Sequence, residues 1–306
     1  MKPGAAKRGR DKGPGILGYA FLLFTGLTFG TLEVFSKLMP HVAPMQLNFI
    51  RFLIGGLVIL PFGMIELRKR KTEVAAKDLL TIALLGTLLV AVSMSLLQFS
   101  VTKVPASLVA FIFSANPMII ALLASFILKE RPKPYTILFI LLGMAGMAFI
   151  IRPFGSGFDP DILYPLLSVS LFGLYIVLAR RLSRRLGSLF VTSAAILTGV
   201  AVLGIYASAS GVKLFSGLTA GDMGYLAYLG VIVSGLAYVS YFKGMDLTST
   251  NTGSVVFFLK AMTAAVLSSL LLGERLELPV IIGGAFIAAG IAVMVAGGIS
   301  DRRRAK

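Results

Sequence analysis

Residues 104–131, VPASLVAFIFSANPMIIALLASFILKER, return 144 positions later as TSTNTGSVVFFLKAMTAAVLSSLLLGER at 248–275. Under that shift Phe113 falls on Phe257, Ala121 on Ala265, Ser125 on Ser269, Leu128 on Leu272, and Glu130-Arg131 on Glu274-Arg275. Upstream, Leu85-Gly86 falls on Leu229-Gly230. A period close to half of the 306 residues marks a duplication, and it fixes the architecture before any motif is weighed.

Each copy must fold where its apolar runs are stable. With 57% hydrophobic residues and a mean hydropathy of +0.91, the solvent is lipid. Ten runs are read, at 15–38, 44–65, 78–100, 104–128, 134–152, 161–179, 188–208, 223–242, 251–272 and 278–298. Each is close to the roughly 20 residues that a spanning helix needs. The runs are continuously apolar, whereas a lipid-facing barrel strand alternates, so helix is the spanning form. The expectation is an all-α integral membrane protein with five spans in each of two repeats, 15–152 and 161–299. Basic tails at 1–14, expected to be disordered, and at 300–306 flank them. The first run is too long for a secretory leader and lacks a small-residue cleavage site, so it is expected to stay as an uncleaved first helix.

A net charge of +16 would suggest nucleic acid in a soluble protein, but its placement argues otherwise. Twenty-two of the 29 lysines and arginines fall on one face of the ten-span scheme and five on the other. That asymmetry predicts cytoplasmic termini. An odd number of spans per repeat makes the second copy enter from the opposite side, so the repeats are inverted. Such repeats recur in secondary transporters, with substrate held near mid-membrane between the halves.

The side chains that break the apolar pattern are the candidates. Glu33 lies about 7 Å inside the outer end of the first span, at about 1.5 Å per residue. Arg51 reaches a similar depth in the second span, beside Gln46 and Asn48, and the two are expected to pair; a Glu33 facing substrate is the alternative. Gly26 and Gly30 form a GxxxG spacing that lets a neighbouring helix come close. The third span offers Ser93, Ser95 and Gln98. The fourth carries Asn116 and Pro117, and a proline there frees a carbonyl one turn earlier, either lining a cavity or forming a structural kink. The glycine-rich fifth and tenth spans read as packing helices. In the sixth span FGLYIVLARRL aligns on FGTLEVFSKLM, so Ile176 replaces Glu33, and Ala194 likewise replaces Arg51. Tyr175, Tyr238 and Tyr241 supply amphipathic rings for stacking or interfacial anchoring. Lys260, ten residues from either end of the ninth span and matched to the neutral Asn116, is the sharpest feature, because an ammonium at mid-membrane is costly without a function.

Several classes are disfavoured. There is no cysteine and a single histidine, His41, in an outer loop, so neither a disulfide, a thiolate metal site nor a histidine-based catalytic centre is expected. No Walker-type GxxxxGK[ST] is present.

The ten spans in two halves, the Leu-x-Glu-Arg stops LKER (128–131) and LGER (272–275), and the sixth-span LYIVLARRL resemble the EamA-type branch of the drug/metabolite transporter superfamily over residues 15–299. The resemblance implies a secondary carrier, often an exporter of amino acids or other small metabolites, with a cavity lined by spans 1, 3, 4, 6, 8 and 9. The repeat-closing Glu130 and Glu274 are characteristic of that family, and by their position at helix ends they read as structural. Where the second copy usually keeps a proline, this chain has Ala261. The expectation is therefore a proton-coupled or uncoupled exporter of small carboxylates in the plasma membrane. Lys260, Glu33, Arg51, Asn116, Gln98, Tyr175 and Tyr238 would serve the substrate, and Pro117 would be structural. The alternative is an organic-cation carrier using Glu33, and a membrane enzyme or a channel is more remote. A monomer in lipid is expected, with no cofactor, metal or nucleic acid.

Overall fold

The computed structural model describes residues 16–129, 132–151, 159–248 and 250–304. The basic tail at 1–14, Glu130 and residues 305–306 lie outside the described residues. Ten helices are long and apolar enough to cross a membrane: α1 (Ile16–Lys37), α2 (Pro44–Arg70), α3 (Ala76–Lys103), α4 (Ala106–Ile127), α5 (Pro134–Ile151), α6 (Pro160–Leu186), α7 (Ser188–Ala209), α8 (Ala220–Leu247), α9 (Val255–Leu272) and α10 (Leu278–Ser300). No strand occurs among the described residues.

The helices outrun the apolar runs where basic residues follow them. α2 continues through Arg68, Lys69 and Arg70 and stops at Lys71, whose φ of 51° is left-handed. α6 continues through Arg184 and Arg185 to Gly187, at φ 103°. Cations in a last helical turn meet the negative end of the helix dipole, so the charge that ends the apolar run does not end the helix.

The two repeats interlock rather than stand side by side. α7 packs on α2 and α3, α8 on α1 and α2, α9 on α1 and α4, and α5 on α10. Small residues make these contacts close, as they do where lipid gives no hydrophobic drive to association. A Cβ on Gly146 would stand 2.5 Å from the Gly283 carbonyl, and one on Gly283 would stand 2.5 Å from the Gly146 carbonyl. Gly86 of α3 and Gly199 of α7 abut backbone to backbone. The 144-residue shift carries this pair to Gly230 of α8 and Gly55 of α2, where Gly55 abuts Ser234 and Gly230 abuts Ile54.

Helices facing the centre are irregular there. α4 breaks at Ala115, between segments ending at Ser114 and starting at Asn116, because Pro117 has no N–H to return to the Phe113 carbonyl. α9, with Ala261, runs unbroken from Val255 to Leu272. Its start is later than the apolar run suggests, because the chain first makes a separate turn at Thr250–Gly253. α3 and α8 each widen into a π-helical stretch, Thr87–Met94 and Tyr228–Leu236, at overlapping positions of the repeat. Such stretches concentrate at functional sites.

Candidate functional site

The GxxxG spacing of α1 builds the centre of the molecule. A Cβ on Gly26 would lie 2.6 Å from Leu259 Cβ, and one on Gly30 would lie 2.7 Å from the Lys260 carbonyl, so α9 rests directly on this face of α1. Glu33, one turn further along α1, is thereby brought to Lys260: Nζ stands 2.6 Å from Oε1, with side chains 4% and 0% exposed. The ammonium also lies 4.5 Å from the centroid of the Phe113 ring of α4. No hydroxyl or amide donates to the Glu33 carboxylate. Lys260 is its sole charge partner within ion-pair distance among the described residues, and a buried charge without a partner is severely destabilising.

This corrects the expected pairing of Glu33 with Arg51. The carboxylate is taken by Lys260, and Arg51, 2% exposed on α2, donates from Nη2 to Asn48 Oδ1 at 3.2 Å. Asn48 is fixed in turn, its Nδ2 donating to the Val90 carbonyl and to Ser95 Oγ, both at 3.0 Å, in and beside the π-helical stretch of α3. The Arg51 guanidinium carbon lies 4.2 Å from the Phe52 ring centroid, and its Nε has no hydrogen-bond partner. With Glu33 and Lys260 paired, the charges at the centre among the described residues sum to one positive charge, carried by Arg51.

A cavity of about 820 Å³ adjoins that charge. Arg51, Lys260, Asn116, Pro117, Tyr175 and Tyr238 line it, which gathers five of the seven expected substrate residues at one place. The other two lie off it. Glu33 is behind Lys260, and Gln98 accepts from Ser36 Oγ at 3.4 Å between α1 and α3. Asn116, at the break in α4, is fully buried with neither its Nδ2 nor its Oδ1 hydrogen-bonded. The walls are aromatic: Phe29, Phe113, Phe172, Tyr241, Phe242 and Phe257 join Tyr175 and Tyr238. Edge contacts such as Phe29 on Tyr238, at 5.3 Å between centroids, hold the rings in place. The cavity extends past Lys133, Arg180 and Arg184 at the Lys/Arg-rich ends of α5 and α6.

At the opposite end a carboxylate crosses between the repeats. Glu274 takes Lys37 Nζ at 2.8 Å, the backbone N–H groups of Ala106 and Ser107 at 2.8 and 3.1 Å, and Ser107 Oγ at 2.9 Å. It thus ties the end of α1 to the first turn of α4. Desolvation pushes the Glu274 carboxyl up, but the hydrogen bonds from Lys37 and the two amides together prevail and hold it below the usual glutamate value.

Sequence reasoning singled out the rings of Tyr175, Tyr238 and Tyr241 but missed the phenylalanines of the walls, because phenylalanine in an apolar helix carries no signal of which way it faces. It also missed Ser168, whose hydroxyl bonds the Ser93 carbonyl at 2.7 Å while Ser93 Oγ bonds the Ser168 carbonyl at 2.8 Å, closing α3 on α6.

Comparison with known proteins agrees with this architecture. The profile of the EamA-like transporter family matches residues 16–152 and 160–296, that is α1–α5 and α6–α10. An uncharacterized transporter of Clostridium kluyveri is 33% identical over 283 residues, 89% of this chain and 91% of that protein. The uncharacterized transporter YetK of Bacillus subtilis is 26% identical over 278 residues, 87% of this chain and 83% of its own. An uncharacterized transporter of Archaeoglobus fulgidus is 23% identical over 276 residues, 90% and 95% respectively. A solved crystal structure superposes on 94% of this chain and 99% of its own with a TM-score of 0.65 and 19% identity, a likeness of fold.

Proposed function

The chain belongs to the EamA-like transporter family, a multi-pass membrane transporter, and from that premise we propose that it carries small carboxylates with an apolar or aromatic body out of the cytoplasm by alternating access. The observation that supports this reading most is the buried Arg51 guanidinium, with no ion-pair partner among the described residues and a free Nε, at the wall of an aromatic cavity. A guanidinium presents a planar fork that matches a carboxylate in two parallel hydrogen bonds, and it keeps its charge when buried. The unpaired amide of Asn116 then receives a second polar group, such as an ammonium or hydroxyl, on the same molecule. That pairing of demands fits an amino acid or hydroxy acid.

Glu33 does not serve an organic cation in this account, because Lys260 already neutralises it and it lies outside the cavity wall. Coupling of this transport to protons is part of the proposal, and the pH-gradient arm of the assay below reads it. The Lys/Arg asymmetry supports a plasma-membrane orientation with cytoplasmic termini. The cavity end at Lys133, Arg180 and Arg184 is then cytoplasmic, and the substrate loads from there. A monomer is sufficient, since both repeats of one chain enclose the cavity.

The test is counterflow in proteoliposomes preloaded with single amino acids, 2-hydroxy acids, 2-oxo acids or quaternary ammonium compounds, with and without a pH gradient. Accumulation of radiolabel with carboxylates of aromatic or branched side chain supports the reading. Accumulation with the quaternary compounds and with no carboxylate overturns it.

A further inference from the structure

Two aspartate contacts on opposite faces of this protein are one contact used twice. His41, in the turn between α1 and α2, holds Nε2 2.8 Å from Asp222 Oδ2 at the start of α8. Arg185, in the last turn of α6, pairs with Asp78 at the start of α3. The 144-residue shift carries 41 to 185 and 78 to 222, so the duplication exchanges the two pairs. Both carboxylates also cap their own helices. Asp78 accepts the Ala75 N–H at 2.8 Å, and Asp222 accepts the Thr219 N–H at 2.8 Å and its hydroxyl at 2.6 Å. Each aspartate is nearly buried, 7% and 5% exposed, and each grips a basic side chain of the other repeat.

The state of the cavity decides what these contacts are. It reaches the Arg185 end of the molecule, and its wall includes no residue of the His41 turn, yet both pairs are formed. A gate would be intact on the closed face and parted on the open one. Exchanging the repeats, the operation that converts one access state into the other, swaps the pairs and leaves both formed. They behave as pivots about which the rest of each repeat moves.

One chemical difference separates them. A guanidinium is charged at every physiological pH, whereas imidazole is the side chain whose charge changes between about pH 5 and 8. His41 is the only histidine in the sequence. We propose that the His41–Asp222 contact is a proton-sensitive pivot: acid on that face converts a hydrogen bond into an ion pair and tightens the α1–α2 turn onto α8, while Arg185–Asp78 anchors the other face independently of pH.

Asp222 is the titratable group within ion-pair reach of His41 among the described residues. Of the other ionisable groups of this face, Lys37 and Glu274 are engaged with each other, and Tyr225 of α8 packs edge-on against Phe35 of α1 at 5.7 Å. The proposal rests on the alternating-access reading for the word pivot, and on the paired geometry alone for the pH sensitivity.

Two measurements test these parts separately. In detergent, the thermal midpoint of wild-type protein is expected to rise by about 1–3 °C between pH 8 and pH 5.5 relative to His41→Gln, which keeps a hydrogen-bonding side chain without the charge. His41→Arg is expected to show the acid-state advantage at both pH values. Identical pH profiles for all three proteins would overturn the pH-sensitive contact. For the pivot, a single cysteine is placed in the cavity wall of this cysteine-free chain, Ile176→Cys, and labelled in proteoliposomes by an impermeant maleimide from the His41 face at pH 8. Adding His41→Arg should leave the labelling rate unchanged, because a permanently charged pivot does not block opening. A slower rate would make the contact a gate and overturn the pivot. Labelling confined to the Arg185 face in every variant would overturn alternating access and the pivot with it, while the thermal comparison still decides the pH-sensitive contact.

Discussion

Lys260 Nζ lies 2.6 Å from Glu33 Oε1, so the charge within the ninth span is answered by a charge near the C-terminal end of the first span. Neither residue has a charged mate in the other copy: Asn116 stands for Lys260 and Ile176 for Glu33. The pair is therefore a departure from the duplication, and it couples α1 to α9 across the interface between repeats. Truncating one member of a buried pair strands the other. Glu33→Gln and Lys260→Met are each expected to lower stability by on the order of 3–5 kcal/mol, and the double variant to recover most of the loss. Thermal unfolding of the four purified proteins checks this, and additive losses in the double variant would mean that the two residues act independently.

The contact of Gly86 with Gly199 leaves no room for a side chain on either. Gly199→Leu must push α7 off α3 or distort the backbone, and overpacking of this kind costs about 1–3 kcal/mol or more. A sharp drop in monodisperse protein after size-exclusion chromatography is the expected result. Gly224→Leu, at a position where a Cβ would meet nothing within 4 Å, serves as the control and should behave as wild type.

Glu274 gives a prediction in pH. Because its folded value lies below the usual one, its contribution to stability is present above the unfolded carboxyl value, about 4.3, and is lost as pH falls through the lower folded value. Glu274→Gln should destabilise the protein at neutral pH and narrow its difference from wild type in acid. A difference that stays constant down to about pH 3, below the unfolded value, would show that the lost hydrogen-bond geometry, not the charge, carries the effect.

The architecture was legible because lipid makes hydrophobic length decisive: the ten runs and the 144-residue shift locate the spans that the structure contains. The candidate site was legible in its membership but not in its pairing. Depth along a helix, which sequence supplies, brought Glu33 and Arg51 to the same level. Azimuth around it, which sequence supplies weakly, decides that Glu33 turns toward α9. The clue was present in Gly26 and Gly30, whose close face runs up to Glu33, but GxxxG does not name its partner helix. The phenylalanines of the walls were hidden for the same reason, since Phe113 and Phe257 look alike whether they face lipid or a cavity. The contacts of Asp78 and Asp222 were not legible, because an aspartate in the first turn of a helix does not name the basic side chain of the other repeat that meets it.

The central claim is that Arg51 holds a substrate carboxylate, and counterflow by wild type and Arg51 variants tests it most directly. In proteoliposomes loaded with the carboxylate that gives the strongest wild-type signal, Arg51→Gln is expected to abolish accumulation while eluting and unfolding as a folded protein. Arg51→Lys is expected to retain a weakened signal, because an ammonium keeps the charge but loses the fork. Counterflow by Arg51→Gln at the wild-type rate and half-saturation would contradict the account and leave Arg51 as a residue that packs on Phe52 and Asn48.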